Sequence, residues 1–102
     1  MTCEKCKHLT EKIEIRVPAD LKRALVLAKE NVASGVLKEI THFDDGRIIF
    51  HDTPFKELST EGPWPDVFSY YFVCALCNSA YEVSAETYHG SGGSWQSSIG
   101  PR

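Results

Sequence analysis

The chain has 102 residues, 42% of them hydrophobic, and a formal net charge of −3, which suits one domain and leaves too little for two independent cores. Its longest apolar runs, Tyr70 to Cys77 and Ala24 to Ala28, fall far short of the roughly 20 residues a bilayer-spanning helix needs. The first residues, Met-Thr-Cys-Glu-Lys-Cys, carry no basic-then-apolar leader pattern, so a cytoplasmic location is the expectation.

Charge is unevenly spread. Residues 1–30 hold seven Lys/Arg against five Asp/Glu, residues 31–60 three against five, and residues 61–102 one against four. This is a weak footprint for phosphate-backbone binding.

Ile13, Ile15 and Val17 alternate with Glu14 and Arg16, the period-two pattern of a half-buried strand, here predicted over 12–17. Pro18 suits the first turn of a helix, where its fixed φ helps and its missing N–H is not needed. Asp20 then lies near the helix N-terminus. Leu21, Ala24, Leu25, Ala28 and Val32 share one face, with Lys22, Arg23, Lys29 and Glu30 on others, giving an amphipathic helix of about four turns. Ser34-Gly35 ends it, because glycine accepts the left-handed conformation that closes a helix.

Val36–Phe43 and Arg47–His51 flank Asp44-Asp45-Gly46, a strong short-range hairpin signal, and two antiparallel strands are predicted there. Asp52-Thr53-Pro54 is placed to cap a short helical turn through Phe55 and Leu58. Gly62-Pro63-Trp64-Pro65 reads as a rigid surface loop. Val67–Cys74 and Ala80–Ser84 are predicted to form a hairpin around the second cysteine pair. The segment Glu86 to Trp95, with three glycines in four positions, reads as a turn or loop that can join two further short strands, and 97–102 as a fraying end. The expected fold is α+β: a small, mainly antiparallel sheet with one principal helix and a zinc-ribbon-like knuckle at one edge.

The chemistry lies in two Cys-x-x-Cys pairs, Cys3/Cys6 and Cys74/Cys77. Two sulfurs separated by two residues can approach one tetrahedral ion from a tight turn, with Zn–S distances near ~2.3 Å. In a reducing compartment such pairs read as metal ligands; a disulfide framework is the alternative. The stretch Phe72 to Val83 resembles a zinc-ribbon knuckle, in which one strand enters the metal turn and another returns, with Asn78 where such knuckles place glycine. Because 67 residues separate the pairs, the fold itself must bring them together and pin the N-terminal segment against the Cys74–Cys77 turn. The expected site is one structural Zn2+ held by Cys3, Cys6, Cys74 and Cys77, with His8 as an alternative to one sulfur. A redox role for either pair is a further alternative; thioredoxin-like motifs sit at the start of a helix, which lowers the thiol pKa, and neither pair clearly precedes one. Four thiolates close the coordination shell, and no His-Glu-x-x-His or His-x-Glu pattern occurs, so catalysis is not expected.

A second candidate region has two readings. Backbone N–H groups along His89, Gly90, Ser91, Gly92 and Gly93, beside Trp95, can line a pocket for an anion or a partner's carboxylate. Alternatively, the glycines form a hairpin loop whose Tyr88 and Trp95 pack on the sheet. The Gly-Lys-Ser/Thr ending of a phosphate-binding loop is missing, and no strand-turn-helix elbow surrounds Ser91 as a hydrolase would need. Trp64, between two prolines, is the candidate exposed anchor for a partner.

Taken together, the N-terminal Cys-x-x-Cys, the Pro-started helix, the Gly-Pro-Trp-Pro-Asp loop and the second Cys-x-x-Cys followed by Tyr88-His-Gly-x-Gly-Gly-x-Trp95 resemble a group of small bacterial proteins without an assigned activity. The resemblance spans most of the chain and implies a bacterial cytosolic origin. The expected function is a non-enzymatic, zinc-stabilised protein-interaction module, most concretely an immunity protein for a bacterial toxin. The alternative is a zinc-ribbon nucleic-acid or transcription-machinery binding protein that uses Lys5, Lys7, Lys12, Lys22, Arg23 and Lys29.

Overall fold

In the computed structural model, residues 4–42, 46–49, 53–87 and 92–98 are described. Alternation and capping signals account for β1 (Ile13–Ile15), α1 (Pro18–Ala33), β2 (Leu37–Ile40), β3 (Val67–Cys74) and β4 (Ala80–Glu86); a further strand, β5 (Gly92–Ser98), joins them. The strands form one antiparallel sheet in the order β1-β5-β4-β3-β2, so the fold is α+β with one main helix.

Pro18 opens α1. The Asp20 carboxylate reaches back to accept the backbone N–H groups of Arg16 and Val17, satisfying donors that the helix start would otherwise leave unpaired. Leu21, Ala24, Leu25 and Ala28 are buried, as the periodicity requires. Val32 is only half-buried, and Asn31 continues the core-facing stripe instead. Gly35 has φ +86° and follows the helix end.

Strict alternation in β3 sends Phe68, Tyr70, Phe72 and Cys74 to the buried face, and β4 adds Tyr81, Val83 and Ala85. Phe55, from a short 3-10 turn at Phe55–Glu57, packs against the rings of Tyr70 and Phe72. The Lys29 ammonium donates to the Phe55 carbonyl and sits 4.5 Å from its ring centroid, and burial lowers its pKa. Among the described residues, every buried side-chain N or O atom has a hydrogen-bond partner.

Two expectations are corrected and a third is met in part. Among the described residues the Asp-Gly hairpin shows one antiparallel bridge, His42 to Ile48, with Ile49 N–H donating to the Thr41 carbonyl, while β2 also pairs with β3, Leu37 opposite Cys74 and Ile40 opposite Tyr71. Phe43 to Asp45 and Phe50 to Asp52 lie outside the described residues. The glycine-rich segment is not all loop: β5 starts at Gly92 and runs between β1 and β4. It continues through Ser98, so the pairing takes in two residues expected to fray, and 99–102 lie outside the described residues.

Candidate metal centre

The sulfur cluster is assembled from two distant segments. Residues 75–77 form the turn between β3 and β4, and Asn78 adopts φ 62°, a left-handed conformation that asparagine tolerates better than most residues. The turn is closed on both sides: Asn78 N–H donates to the Cys74 carbonyl, and Cys74 N–H donates to the Ser79 carbonyl. Ala75 N–H donates to the Val36 carbonyl, which fixes the turn to the segment entering β2.

Cys6 arrives from the N-terminal segment, just before a 3-10 turn at Lys7–Leu9. Two core aromatic residues hold that segment. Trp95 donates its indole N–H to the Leu9 carbonyl at 2.9 Å, and the Tyr81 hydroxyl donates to the Cys6 carbonyl at 3.4 Å. Burial first, then the hydrogen bond and charge of Cys6 and the charges of Cys77 and Cys74, push the Tyr81 phenol far above its ordinary pKa. It therefore stays neutral and keeps its proton to donate.

The result brings Cys6, Cys74 and Cys77 together with their Sγ atoms all within 4.8 Å of one another. Cys6 and Cys74 are fully buried, and Cys77 is half-buried. The Cys6 and Cys77 sulfurs lie 3.4 Å apart. Ligands about 2.3 Å from a tetrahedral ion sit about 3.8 Å from each other, so these three sulfurs are close enough to hold one metal ion. The donors are all soft thiol sulfurs, a chemistry that selects zinc, copper(I) or iron–sulfur centres over calcium or magnesium. Cys3 lies outside the described residues.

His8 does not join the cluster. Its Nε2 meets the Asn31 Oδ1 at 3.0 Å, while the Asn31 amide donates to the Leu27 carbonyl at 2.7 Å. The Asn31 oxygen is thus the acceptor, and His8 Nε2 carries the donated hydrogen. This pair joins the N-terminal 3-10 turn to α1, and sequence reading missed it. The available signal was that position 31 follows Ala28 by three on the apolar stripe. Ser79 was also missed: its hydroxyl lies 3.2 Å from the Cys77 sulfur.

The second region is split by the structure. Of the two readings of Trp95, packing on the sheet is the one observed: it is wholly buried, stacked on Tyr81, and belongs to the core, which corrects its placing among the partner-binding residues. Gly92 and Gly93 serve close backbone packing: a Cβ on Gly92 would collide with the Ile15 carbonyl oxygen, and one on Gly93 with that of Ser84. His89, Gly90 and Ser91 lie outside the described residues. Trp64 is half-buried, and its indole N–H donates to the Ser59 carbonyl. It lines a groove of about 250 Å³ together with Ile15, Val17, Pro18, Leu21 and Gly92, so Trp64 and Gly92 do share one surface.

Among the described residues, no helix is long and apolar enough to cross a membrane. No family model, curated protein or solved structure matches this chain.

Proposed function

We propose that this chain is a non-enzymatic protein-interaction module whose fold is closed by one structural zinc ion. The observation that carries the reading is the meeting of Cys6, near the N-terminus, with Cys74 and Cys77 of the β3–β4 turn, two of the three fully buried. Zinc fits an all-sulfur tetrahedral set and needs no redox partner. The turn from Cys74 to Asn78 then acts as a zinc-ribbon-like knuckle. Cys3, three residues before Cys6 in the sequence, supplies the fourth thiolate. A shell of four thiolates has no open position for substrate, which supports a structural role over a catalytic one. Thiols kept for a metal also favour the cytoplasm, where they stay reduced.

The groove beside Trp64 supports the interaction part of the reading. Its lining of Ile15, Val17, Pro18 and Leu21 suits an apolar side chain of a partner, and tryptophan is enriched at interface hot spots. The most concrete form is an immunity protein that binds a bacterial toxin. The nucleic-acid alternative draws less support, because ion pairs occupy much of its cationic face: Lys12 with Glu14, Lys22 with Glu61 and Arg23 with Asp20.

The test is complex formation between the zinc-loaded chain and a toxin-like protein encoded beside it. A stable one-to-one complex is expected, weakened about tenfold or more by Trp64→Ala at a temperature where circular dichroism shows the free variant still folded. A complex indifferent to Trp64→Ala would remove the groove from the reading, and no complex would remove the immunity form.

A further inference from the structure

The sulfur cluster has an inner and an outer part. Cys77 lies half-buried next to Leu76, which is 68% exposed, whereas Cys6 and Cys74 are sealed from solvent. Cys77 is therefore the described thiol that a small oxidant in solution meets first. Its sulfur is in contact with that of Cys6 at 3.4 Å, and closing this gap to the ~2.05 Å of a disulfide takes a movement of about 1.4 Å. Reactivity in thiols follows access, and a sulfenic acid is captured by a neighbouring thiol where one stands ready.

We propose that Cys77 is a peroxide-reactive site and that its product is a disulfide to Cys6, across the fold, rather than a link within the Cys74–Cys77 pair. The Cys77 sulfur attacks one oxygen of hydrogen peroxide, the O–O bond breaks, and one water leaves as Cys77 becomes a sulfenic acid. The Cys6 sulfur then displaces the hydroxyl, forming the S–S bond and a second water. Two thiols lose two hydrogens and two electrons, and the peroxide is reduced to two waters. The link removes two donors from the cluster while keeping the N-terminal turn tied to the β3–β4 turn. The consequence for the ion, its release on oxidation, rests on the zinc reading; the choice of sulfur partner does not.

The test treats the reduced full-length chain with one equivalent of hydrogen peroxide and maps the product by mass spectrometry. Tryptic cleavage after Lys5 separates Cys3 from Cys6, and chymotryptic cleavage after Leu76 separates Cys74 from Cys77, so every pairing is distinguishable. The expected result is the loss of two hydrogens from the intact chain, a dominant Cys6–Cys77 cross-linked peptide, and release of the bound ion in step with it. A first product linking Cys74 to Cys77 or Cys3 to Cys6, or overoxidation of Cys77 with no link, would overturn the inference. A chain that never held metal but still forms the Cys6–Cys77 link would sink the zinc reading and leave this inference standing.

Discussion

Tyr81 and Trp95 stack face to face, 5.6 Å apart and within 5° of parallel, and each gives its polar hydrogen to the same N-terminal turn. Tyr81 holds the Cys6 carbonyl and Trp95 holds the Leu9 carbonyl. The sulfur cluster and the aromatic core are therefore one mechanical unit: loosening Cys6 withdraws the acceptors that two large buried side chains depend on.

That coupling makes tryptophan a reporter of the metal. In a Trp64→Phe background, which leaves Trp95 as the only tryptophan, adding a strong chelator should shift Trp95 emission to the red as its burial is lost. The melting temperature should fall alongside, since an ion present at a thousandfold over its Kd contributes about 4 kcal/mol. Unchanged emission and melting after chelation would separate the cluster from the core.

Trp95→Phe keeps a ring on Tyr81 but orphans the Leu9 carbonyl, whose residue is fully buried. Leaving such a group unpaired costs about 1–3 kcal/mol, so denaturant unfolding should show a loss of about 2 kcal/mol or more.

The His8–Asn31 bond predicts a structural effect with no metal effect. His8→Ala and Asn31→Ala should each cost about 1 kcal/mol while the bound metal per chain stays the same. Loss of metal in His8→Ala would make the histidine a ligand after all.

Two glycine substitutions should differ sharply. Gly35 has φ +86° but open space around its would-be Cβ, so Gly35→Ala carries only the backbone penalty, about 1 kcal/mol. Gly93→Ala drives a methyl into the Ser84 carbonyl and the Ala85 Cα, and should cost more than about 2 kcal/mol by displacing β5 from β4. Thermal melts of the two variants provide the comparison.

Acid should erase the metal's contribution. Thiols must lose their protons to bind the ion, so binding releases protons and weakens as pH falls. The melting temperatures of loaded and chelated chains should converge on the acid side and separate as pH rises towards neutrality, which paired thermal melts across pH can follow.

What the sequence carried well were features set by neighbours along the chain. Pro18 and Ser34-Gly35 bracket α1 at Pro18–Ala33, and alternation in Val67–Cys74 marks β3 with its buried face. The Cys-x-x-Cys spacing pointed to the cluster, and the fold brings three of the four predicted ligands together. Features that depend on distant partners were harder to read. Asp44-Asp45-Gly46 signals a local hairpin, of which the described residues show the His42–Ile48 bridge, but nothing local to β2 announces its pairing with β3. β5 is composed of Gly, Ser and Gln around a lone Trp95, so it has no β-forming signature of its own. It becomes a strand because β1 and β4 supply hydrogen bonds on both sides. Asn31 is polar at a core-facing position; Leu27 satisfies its amide locally, but its oxygen is met by His8 from 23 residues earlier.

The most direct measurement is the metal content of the purified chain, by native mass spectrometry with elemental analysis, for wild type and for Cys6→Ser and Cys77→Ser. One zinc per wild-type chain, held without any disulfide and lost or much weakened in both variants, is the expected result. A wild-type chain that carries no metal under reducing conditions, or that keeps its ion when either sulfur is removed, would contradict it.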